Sequence, residues 1–138
     1  MVGRVTAETA ITFYEYGACS TCRKARAWLD GKGVAFRALP IVEQPPSRDE
    51  LKALVARSGV PARKWLNTSG QSYRALIASL GKEAALALGD DDLIGRMAAD
   101  GKLIKRPVLV ARDRVLVGFR EEEYAALASA RERKRGPG

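Results

Sequence analysis

The sequence of 138 residues contains no histidine and only two cysteines, Cys19 and Cys22. A structural zinc site ordinarily takes four cysteine or histidine ligands, so two thiols are too few to complete one. We therefore predict no metal site and no bound organic cofactor. The chemistry open to two cysteines at this spacing is that of the thiols themselves.

Long apolar runs are also missing from the chain. No stretch approaches 18 apolar residues, which excludes a membrane-spanning helix. Residues 1–8 lack the apolar block of a secretory signal peptide, so we expect a cytoplasmic protein without a membrane partner. The length is sufficient to bury a core, and we predict a single domain over residues 1–138.

Acidic residues are outnumbered by basic ones, 16 to 24, and the last eight residues contain four cations: Arg131, Arg133, Lys134 and Arg135. Charge runs at a terminus are usually solvated, so we predict that residues 131–138 form a disordered basic tail. The alternative is that this tail contacts nucleic acid or an acidic partner.

The two cysteines lie where a predicted strand gives way to a predicted helix. Residues 11–16 are β-branched and aromatic and indicate a strand, and a turn at residues 17–18 follows. A basic helix begins at Cys19 or Ser20. A cytosolic disulfide is usually transient, and a bond between Cys19 and Cys22 would close too short a loop to stabilise the fold. The pair is therefore predicted to be redox-active.

The start of this helix favours the thiolate form of Cys19. Free N–H groups and the positive end of the helix dipole lie there, and three cations follow in the helix: Arg23, Lys24 and Arg26. Because only a thiolate is a good nucleophile, we predict that Cys19 attacks the substrate. Cys22 lies one turn further into the helix, where we expect it to be more buried and to resolve the adduct formed on Cys19.

The remaining pattern indicates an α/β protein. Residues 34–39 alternate as a second strand, which would lie parallel to the first. Ser47 and Glu50 form a capping box that opens a helix over residues 47–58. Further short helices run to about residue 100, and the chain ends in a predicted β-hairpin and helix (108–111, 115–119 and 121–130).

This order, β-α-β, helices, then β-β-α, predicts a thioredoxin-like fold with a mixed sheet. Its core would comprise approximately residues 10–45 and 104–130, and an all-helical insertion would occupy approximately residues 46–103. In thioredoxin-type proteins the loop that contains the proline before the third strand faces the cysteine pair. Arg106, which precedes Pro107, is therefore expected near Cys19.

Three ordered segments resemble a known family. They are the run from Cys19 to Leu29, the segment from Leu66 to Arg74 with its Asn-Thr-Ser-Gly sequence, and Lys105–Val110 followed by Val117-Gly118-Phe119. Together they resemble the arsenate reductase (ArsC)/Spx/MgsR family, in its ArsC-like branch, over roughly residues 11–127. The family fold is a thioredoxin fold with a helical insertion.

The resemblance implies an arsenate reductase that converts As(V) to As(III). Cys19 would attack arsenate or a similar oxyanion. Arg63, Arg106 and Arg120 would hold that oxyanion, with Pro107 beside Arg106. Three guanidinium groups suit a tetrahedral oxyanion, because each can donate a planar pair of hydrogen bonds. An external thiol donor, either thioredoxin or glutaredoxin with glutathione, would regenerate the dithiol.

Two departures from the reductases leave an alternative open. Those enzymes have a histidine just before the catalytic cysteine. This chain has none, and Glu15 stands near that place, where a carboxylate would raise the thiol pKa. They also lack the second cysteine, which Spx- and MgsR-type regulators possess as a redox switch. The alternative is thus a redox-sensing regulator that binds the RNA polymerase α subunit without direct DNA binding. A glutaredoxin-like protein that reduces other disulfides is a third interpretation.

Overall fold

The computed structural model describes residues 11–127 and places four strands in one sheet. The strands are β1 (Thr12–Glu15), β2 (Arg37–Pro40), β3 (Val108–Val110) and β4 (Val115–Val117). Their order in the sheet is β2-β1-β3-β4. β1 pairs with β2 in parallel and with β3 antiparallel, and β4 is antiparallel to β3. The predicted mixed sheet is confirmed.

Helices surround the sheet in the predicted order. The α-helices are α1 (Ser20–Gly31), α2 (Arg48–Ser58), α3 (Gln71–Leu80), α4 (Lys82–Leu86) and α5 (Asp90–Ala99). Short 3-10 helices occupy Ala62–Trp65 and Gly101–Leu103, and residues 121–127 form a C-terminal helix. The basic tail predicted at residues 131–138 and the N-terminal residues 1–8 lie outside the described residues.

The second strand begins later than the alternating pattern predicts. The chain leaves α1 through Gly33, whose φ of 69° is left-handed, and the Val34 N–H donates to the Leu29 carbonyl at 3.0 Å. The Gly33 N–H also donates to the Asp30 carbonyl at 3.1 Å, and the two bonds form a Schellman motif that ends the helix. The motif includes Val34, the first residue of the predicted strand. Pairing with β1 starts only where the Arg37 N–H donates to the Ile11 carbonyl at 2.8 Å.

The second helix begins where the sequence predicts. Ser47 caps α2, and its hydroxyl accepts from the Glu50 N–H at 3.2 Å. The Glu50 carboxylate accepts in return from the Ser47 N–H at 2.9 Å, so the capping box is complete. The cap fixes the point at which the chain turns from the sheet into the insertion.

The sheet separates two apolar clusters, one on each face. One face packs against α1 and the C-terminal helix through buried Phe13, Leu29 and Tyr124. The other face packs against the insertion, in which Trp65 and Met97 are buried together with residues of the strands. The insertion thus shares its core with the sheet. Within residues 11–127 no helix combines the length and the apolar character needed to cross a bilayer.

Candidate functional site

Cys19 is the N-cap of α1. The strand β1 ends at Glu15, the chain turns through residues 17–18, and the Cys19 N–H donates to the Tyr16 carbonyl at 2.9 Å. Its backbone is extended (φ −90°, ψ 120°), and its Sγ accepts from the Cys22 N–H at 3.4 Å. A sulfur atom therefore takes the capping position that serine or aspartate usually occupies, facing the free N–H groups of the first turn.

Cys22 lies one turn further along and is buried, with only 1% of its surface exposed. The Tyr16 N–H donates to its Sγ at 3.4 Å. Both cysteines are free thiols in this structure, and Cys19 is the more accessible of the two. An external reactant would therefore meet Cys19 first.

The pKa of Cys19 is lowered from that of an ordinary thiol. Partial burial is the largest single influence and raises the pKa, but several effects together outweigh it. They are hydrogen bonds to the thiolate from the Cys22 N–H, the Cys22 thiol and the Thr21 N–H, together with the positive charge of Arg106. Each stabilises the anion, as the position at a helix start predicts.

The pKa of Cys22 moves the other way, to about 12. Burial is the main cause, and the neighbouring Cys19 raises the pKa further by its hydrogen bond and its charge. The Tyr16 N–H and Arg106 oppose this shift without cancelling it. Cys19 is therefore the thiol of the pair that ionises first, while Cys22 keeps its proton at neutral pH.

Arg106 is the cation that the fold brings to the two thiols. It lies just before β3, next to the buried Pro107, and the Arg106–Pro107 peptide bond is cis. Its guanidinium carbon lies 4.6 Å from the centre of the Tyr16 ring. The charge of Arg106 lowers the pKa of both Cys19 and Cys22, so the sequence-based expectation that Arg106 lies near the pair agrees with its position.

Arg63 and Arg120 have other surroundings. The Arg63 Nη2 donates to the carbonyls of Leu86 and Leu88, at 2.8 and 3.0 Å, at the end of α4 and in the connection to α5. Arg120 is exposed, and its carbonyl accepts from the Glu123 and Tyr124 N–H groups at the start of the C-terminal helix. Among the described residues, neither arginine contributes to the pKa of either cysteine. Their roles as oxyanion ligands stay predictions.

The cations of α1 act differently from the expectation. Arg26 forms an ion pair with Glu15 at 2.9 Å, and the Arg23 Nη1 donates to the Gly17 carbonyl at 3.1 Å. Among the described residues, the cation that lowers the pKa of Cys19 is Arg106 and not a residue of α1. Glu15, which was expected to raise this pKa, does not contribute to it, and Arg26 neutralises its charge.

An open cleft of about 390 Å³ lies beside the turn that precedes Cys19. It is lined by Tyr16 and the turn residues, by residues of the edge strand β2, and by the Glu15–Arg26 pair. Neither Cys19 nor Arg106 lines this cleft. The thiol and its cation are therefore not part of this cleft.

Within residues 11–127, no three histidine, cysteine, aspartate or glutamate side chains lie close enough together to bind a metal ion.

Tyr16 and Tyr124 are residues of the site that sequence reasoning missed. Tyr16 was interpreted only as a strand-forming aromatic residue, and its ring contacts Arg106. Tyr124 is fully buried, and its pKa is raised by burial first and then by the charge of Cys22. Tyr16 and Arg106 are about 90 positions apart in the sequence, and Tyr124 and Cys22 are further apart still. No local pattern could therefore have revealed either interaction.

Comparison with known proteins gives a consistent result. A model of the ArsC family matches residues 14–127. The chain is 44% identical over 115 residues to the uncharacterized protein YusI of Bacillus subtilis (strain 168), which covers 83% of this chain and 95% of YusI. It is 31% identical over 124 residues to the global transcriptional regulator Spx of Streptococcus pyogenes serotype M1, which covers 90% of this chain and 89% of Spx.

A solved structure agrees with the sequence comparison. The crystal structure of a possible arsenate reductase from Streptococcus mutans UA159 superposes with a TM-score of 0.73 at 40% sequence identity. The superposition covers 87% of this chain and 99% of the other. The similarity thus extends through the sheet, the insertion and the segment that contains the two cysteines.

Proposed function

The chain belongs to the ArsC family and has a thioredoxin-like fold with a helical insertion, and we propose that it is a thiol-dependent oxidoreductase that reduces arsenate. One observation carries this proposal: a thiol of lowered pKa caps α1 next to Arg106, with a protonated, buried thiol directly behind it. The solved structure from Streptococcus mutans supports the choice of substrate.

The reaction proceeds in two steps that the geometry of the pair favours. The Cys19 thiolate attacks the arsenic atom of arsenate, and an arsenate oxygen leaves as water after protonation. Cys22, once deprotonated, then attacks the Cys19 Sγ. The S–As bond breaks, its electron pair stays on arsenic, and arsenite leaves. One arsenate and two thiols thus yield one arsenite, one disulfide and one water.

The protonation states of the two thiols suit this sequence of events. Cys19 is the thiolate that starts the reaction, and Cys22 keeps its proton while Cys19 is charged. When Cys19 is bonded to arsenic its negative charge is gone, and one of the influences that raise the Cys22 pKa disappears with it. Cys22 therefore becomes easier to ionise at the stage at which it is needed.

Arg106 would bind the oxyanion and neutralise its charge, because a guanidinium group donates paired hydrogen bonds to an oxyanion. Arg120 would add a second cation. Arg63 would add a third only by leaving the carbonyls of Leu86 and Leu88, to which it is bonded in this structure. A soluble thiol donor, either thioredoxin or glutaredoxin with glutathione, would return the Cys19–Cys22 disulfide to the dithiol in the cytoplasm. No bound cofactor is needed.

A coupled assay tests the proposal. NADPH consumption is measured with arsenate, once with thioredoxin and its reductase and once with glutaredoxin, glutathione and glutathione reductase. We expect arsenate-dependent turnover with one of the two systems and none with Cys19→Ser. Cys22→Ser should stop turnover after the first step and leave an adduct on Cys19. Absence of turnover with both donors, or an undiminished rate in Cys19→Ser, contradicts the proposal.

A second candidate is a redox-sensing regulator that binds RNA polymerase. The 31% identity to Spx over 90% of the chain favours it, since Spx is a global transcriptional regulator. The same two thiols would then act as a switch rather than as a catalyst. A pull-down with the polymerase α subunit, using reduced and oxidised protein, separates the candidates. Binding in one redox state supports the regulator, and no binding in either state rejects it.

A further inference from the structure

We infer that Tyr16 is a positioning residue that holds the guanidinium group of Arg106 beside the two thiols. The inference deepens the proposed function and rests on it only for the identity of the oxyanion. The contact itself is a property of the folded chain: the Arg106 guanidinium carbon lies 4.6 Å from the centre of the Tyr16 ring. This distance is well within the range of a cation–π interaction.

Tyr16 is connected to all three groups of the site. Its carbonyl accepts from the Cys19 N–H at 2.9 Å, and its N–H donates to the Cys22 Sγ at 3.4 Å. Its ring faces Arg106. The main chain of one residue thus orients both cysteines, while its side chain orients the cation that lowers their pKa.

Arg106 has few other restraints. It is only partly buried, and its side chain makes a long hydrogen bond, from Nη1 to the Lys102 carbonyl at 3.4 Å. Among residues 11–127 it forms no ion pair with a carboxylate. A long, flexible side chain with such weak restraints would otherwise sample several rotamers, so the aromatic contact is the main restraint on its position.

An aromatic ring holds this cation without neutralising it. A carboxylate would occupy the N–H groups of the guanidinium and cancel its charge, as Glu15 does for Arg26. A ring binds the guanidinium through its face and leaves the N–H groups at its edge free to donate. Arg106 thus keeps both its charge and most of its donors for an incoming oxyanion.

A double-mutant cycle tests whether Tyr16 acts through Arg106. The pH dependence of Cys19 alkylation by iodoacetamide, followed by mass spectrometry, is compared in four proteins: wild type, Tyr16→Leu, Arg106→Ala and the double variant. We expect each single substitution to raise the apparent pKa of Cys19. In the Arg106→Ala background, Tyr16→Leu should have no further effect. Equal effects of Tyr16→Leu with and without Arg106 would overturn the inference.

Tyr16→Phe is the matched control, since it removes the hydroxyl and keeps the ring. Its Cys19 pKa should equal that of wild type, and a shift as large as in Tyr16→Leu contradicts a role for the ring. Should Tyr16→Leu not fold, replacement of Tyr16 by pentafluorophenylalanine keeps the shape of the ring and reverses the charge distribution of its face. This protein should show the raised Cys19 pKa, and an unchanged value overturns the inference.

The oxyanion provides a second readout. In Tyr16→Leu the KM for arsenate should rise about two- to fivefold, the factor corresponding to a partly exposed cation–π contact. Tyr16→Phe should leave this KM unchanged. If wild type does not reduce arsenate, but the alkylation cycle still shows coupling between Tyr16 and Arg106, the proposed function fails and the inference stands. If wild type reduces arsenate but the alkylation cycle shows no coupling between Tyr16 and Arg106, the inference fails and the proposed function stands.

Discussion

Two thiols in one helical turn differ sharply in acidity, and the difference arises from single hydrogen bonds and burial. Cys19 caps the helix and has a lowered pKa, because N–H groups and Arg106 outweigh the effect of its partial burial. Cys22 is buried, and its pKa is raised to about 12. The assignment of Cys19 as nucleophile and Cys22 as resolving thiol stays a prediction at this scale, and pH experiments address it directly.

Stability in alkali should depend on Cys22. Burial raises its folded-state pKa from the usual 9.0 to about 12. The unfolded chain therefore loses this proton first, and the contribution of Cys22 to stability, complete below about pH 9, is lost as the pH rises towards 12. Urea unfolding of reduced protein should show a decrease between pH 9 and 11 of at most about 1.4 kcal/mol per pH unit from this one group.

The comparison with Cys22→Ala isolates this contribution. Tyr14 and Tyr124 also have raised pKa values and remain in both proteins, so the difference between wild type and variant reports on Cys22. The pH dependence should be shallower in Cys22→Ala. Parallel pH profiles of the two proteins would show that the Cys22 pKa is close to that of an ordinary thiol.

Arg106 should separate oxyanion chemistry from simple thiol exchange. In Arg106→Ala we expect kcat/KM for arsenate to fall on the order of 10- to 100-fold, because a charged hydrogen-bond donor to the anion is lost. Reduction of a small uncharged disulfide by the same protein should decrease far less. Arg74→Ala is the control, since Arg74 is an exposed arginine whose Nη1 bonds the Ser69 carbonyl. Equal losses for both substrates favour the glutaredoxin-like interpretation.

The elements of the insertion are tied together by Arg63. This side chain extends from the 3-10 helix Ala62–Trp65 to the carbonyl of Leu86, the last residue of α4, and to that of Leu88, in the connection to α5. The hydrogen bonds therefore link the 3-10 helix to α4 and to the connection that leads into α5. Short helices such as these have little stability on their own.

Substitution of Arg63 should reveal whether it links elements or binds the anion. Arg63→Ala removes two charged hydrogen bonds at a partly exposed position, so the free energy of unfolding should decrease by about 1–2 kcal/mol in urea titrations. Ser47→Ala, which breaks the capping box of α2, should cost about 0.5–2 kcal/mol and is the matched control. A raised KM for arsenate in Arg63→Ala, without one in Ser47→Ala, supports the oxyanion role. An unchanged KM assigns Arg63 to the linkage alone.

These elements also show how far the sequence alone could be interpreted. Local chemistry predicted the capping box at Ser47 and the helix that begins at or just after Cys19, because each depends on residues within one or two turns. The start of β2 was predicted too early. The residues 34–36 have the alternation of a strand, but the hydrogen bonds that end α1 compete for the same stretch of chain.

At the scale of the whole molecule, Gly101 brings the end of the insertion against the loop that follows β2. A Cβ atom built on Gly101 would collide with the carbonyl of Ile41 and lie 3.0 Å from the Val42 Cα. These are backbone atoms, which cannot rotate away as the end of a side chain could. The close approach joins two segments about 60 residues apart, so a side chain at Gly101 would force these segments apart.

Gly101→Ala should therefore destabilise the protein. We expect a loss of about 1–3 kcal/mol in the free energy of unfolding, since the two backbone segments must separate to admit one methyl group. Gly95→Ala is the matched control within α5: its Cβ would meet only the Arg48 Nε at an ordinary 3.6 Å. Because alanine is the better helix former, Gly95→Ala should stabilise the protein by about 0.5–1 kcal/mol. Similar effects of the two substitutions would contradict this account of Gly101.

The sequence by itself determined the fold class, the family and the cysteine at the start of a helix, because these follow from local periodicity, capping chemistry and motifs in order along the chain. Only the tertiary structure decided which charges act on that cysteine. Arg23, Lys24 and Arg26 follow Cys19 closely in sequence, yet Arg26 is paired with Glu15 and the effective cation is Arg106, which the Tyr16 ring holds. Electrostatic influence depends on distance and burial in space, and neither is readable from separation along a chain.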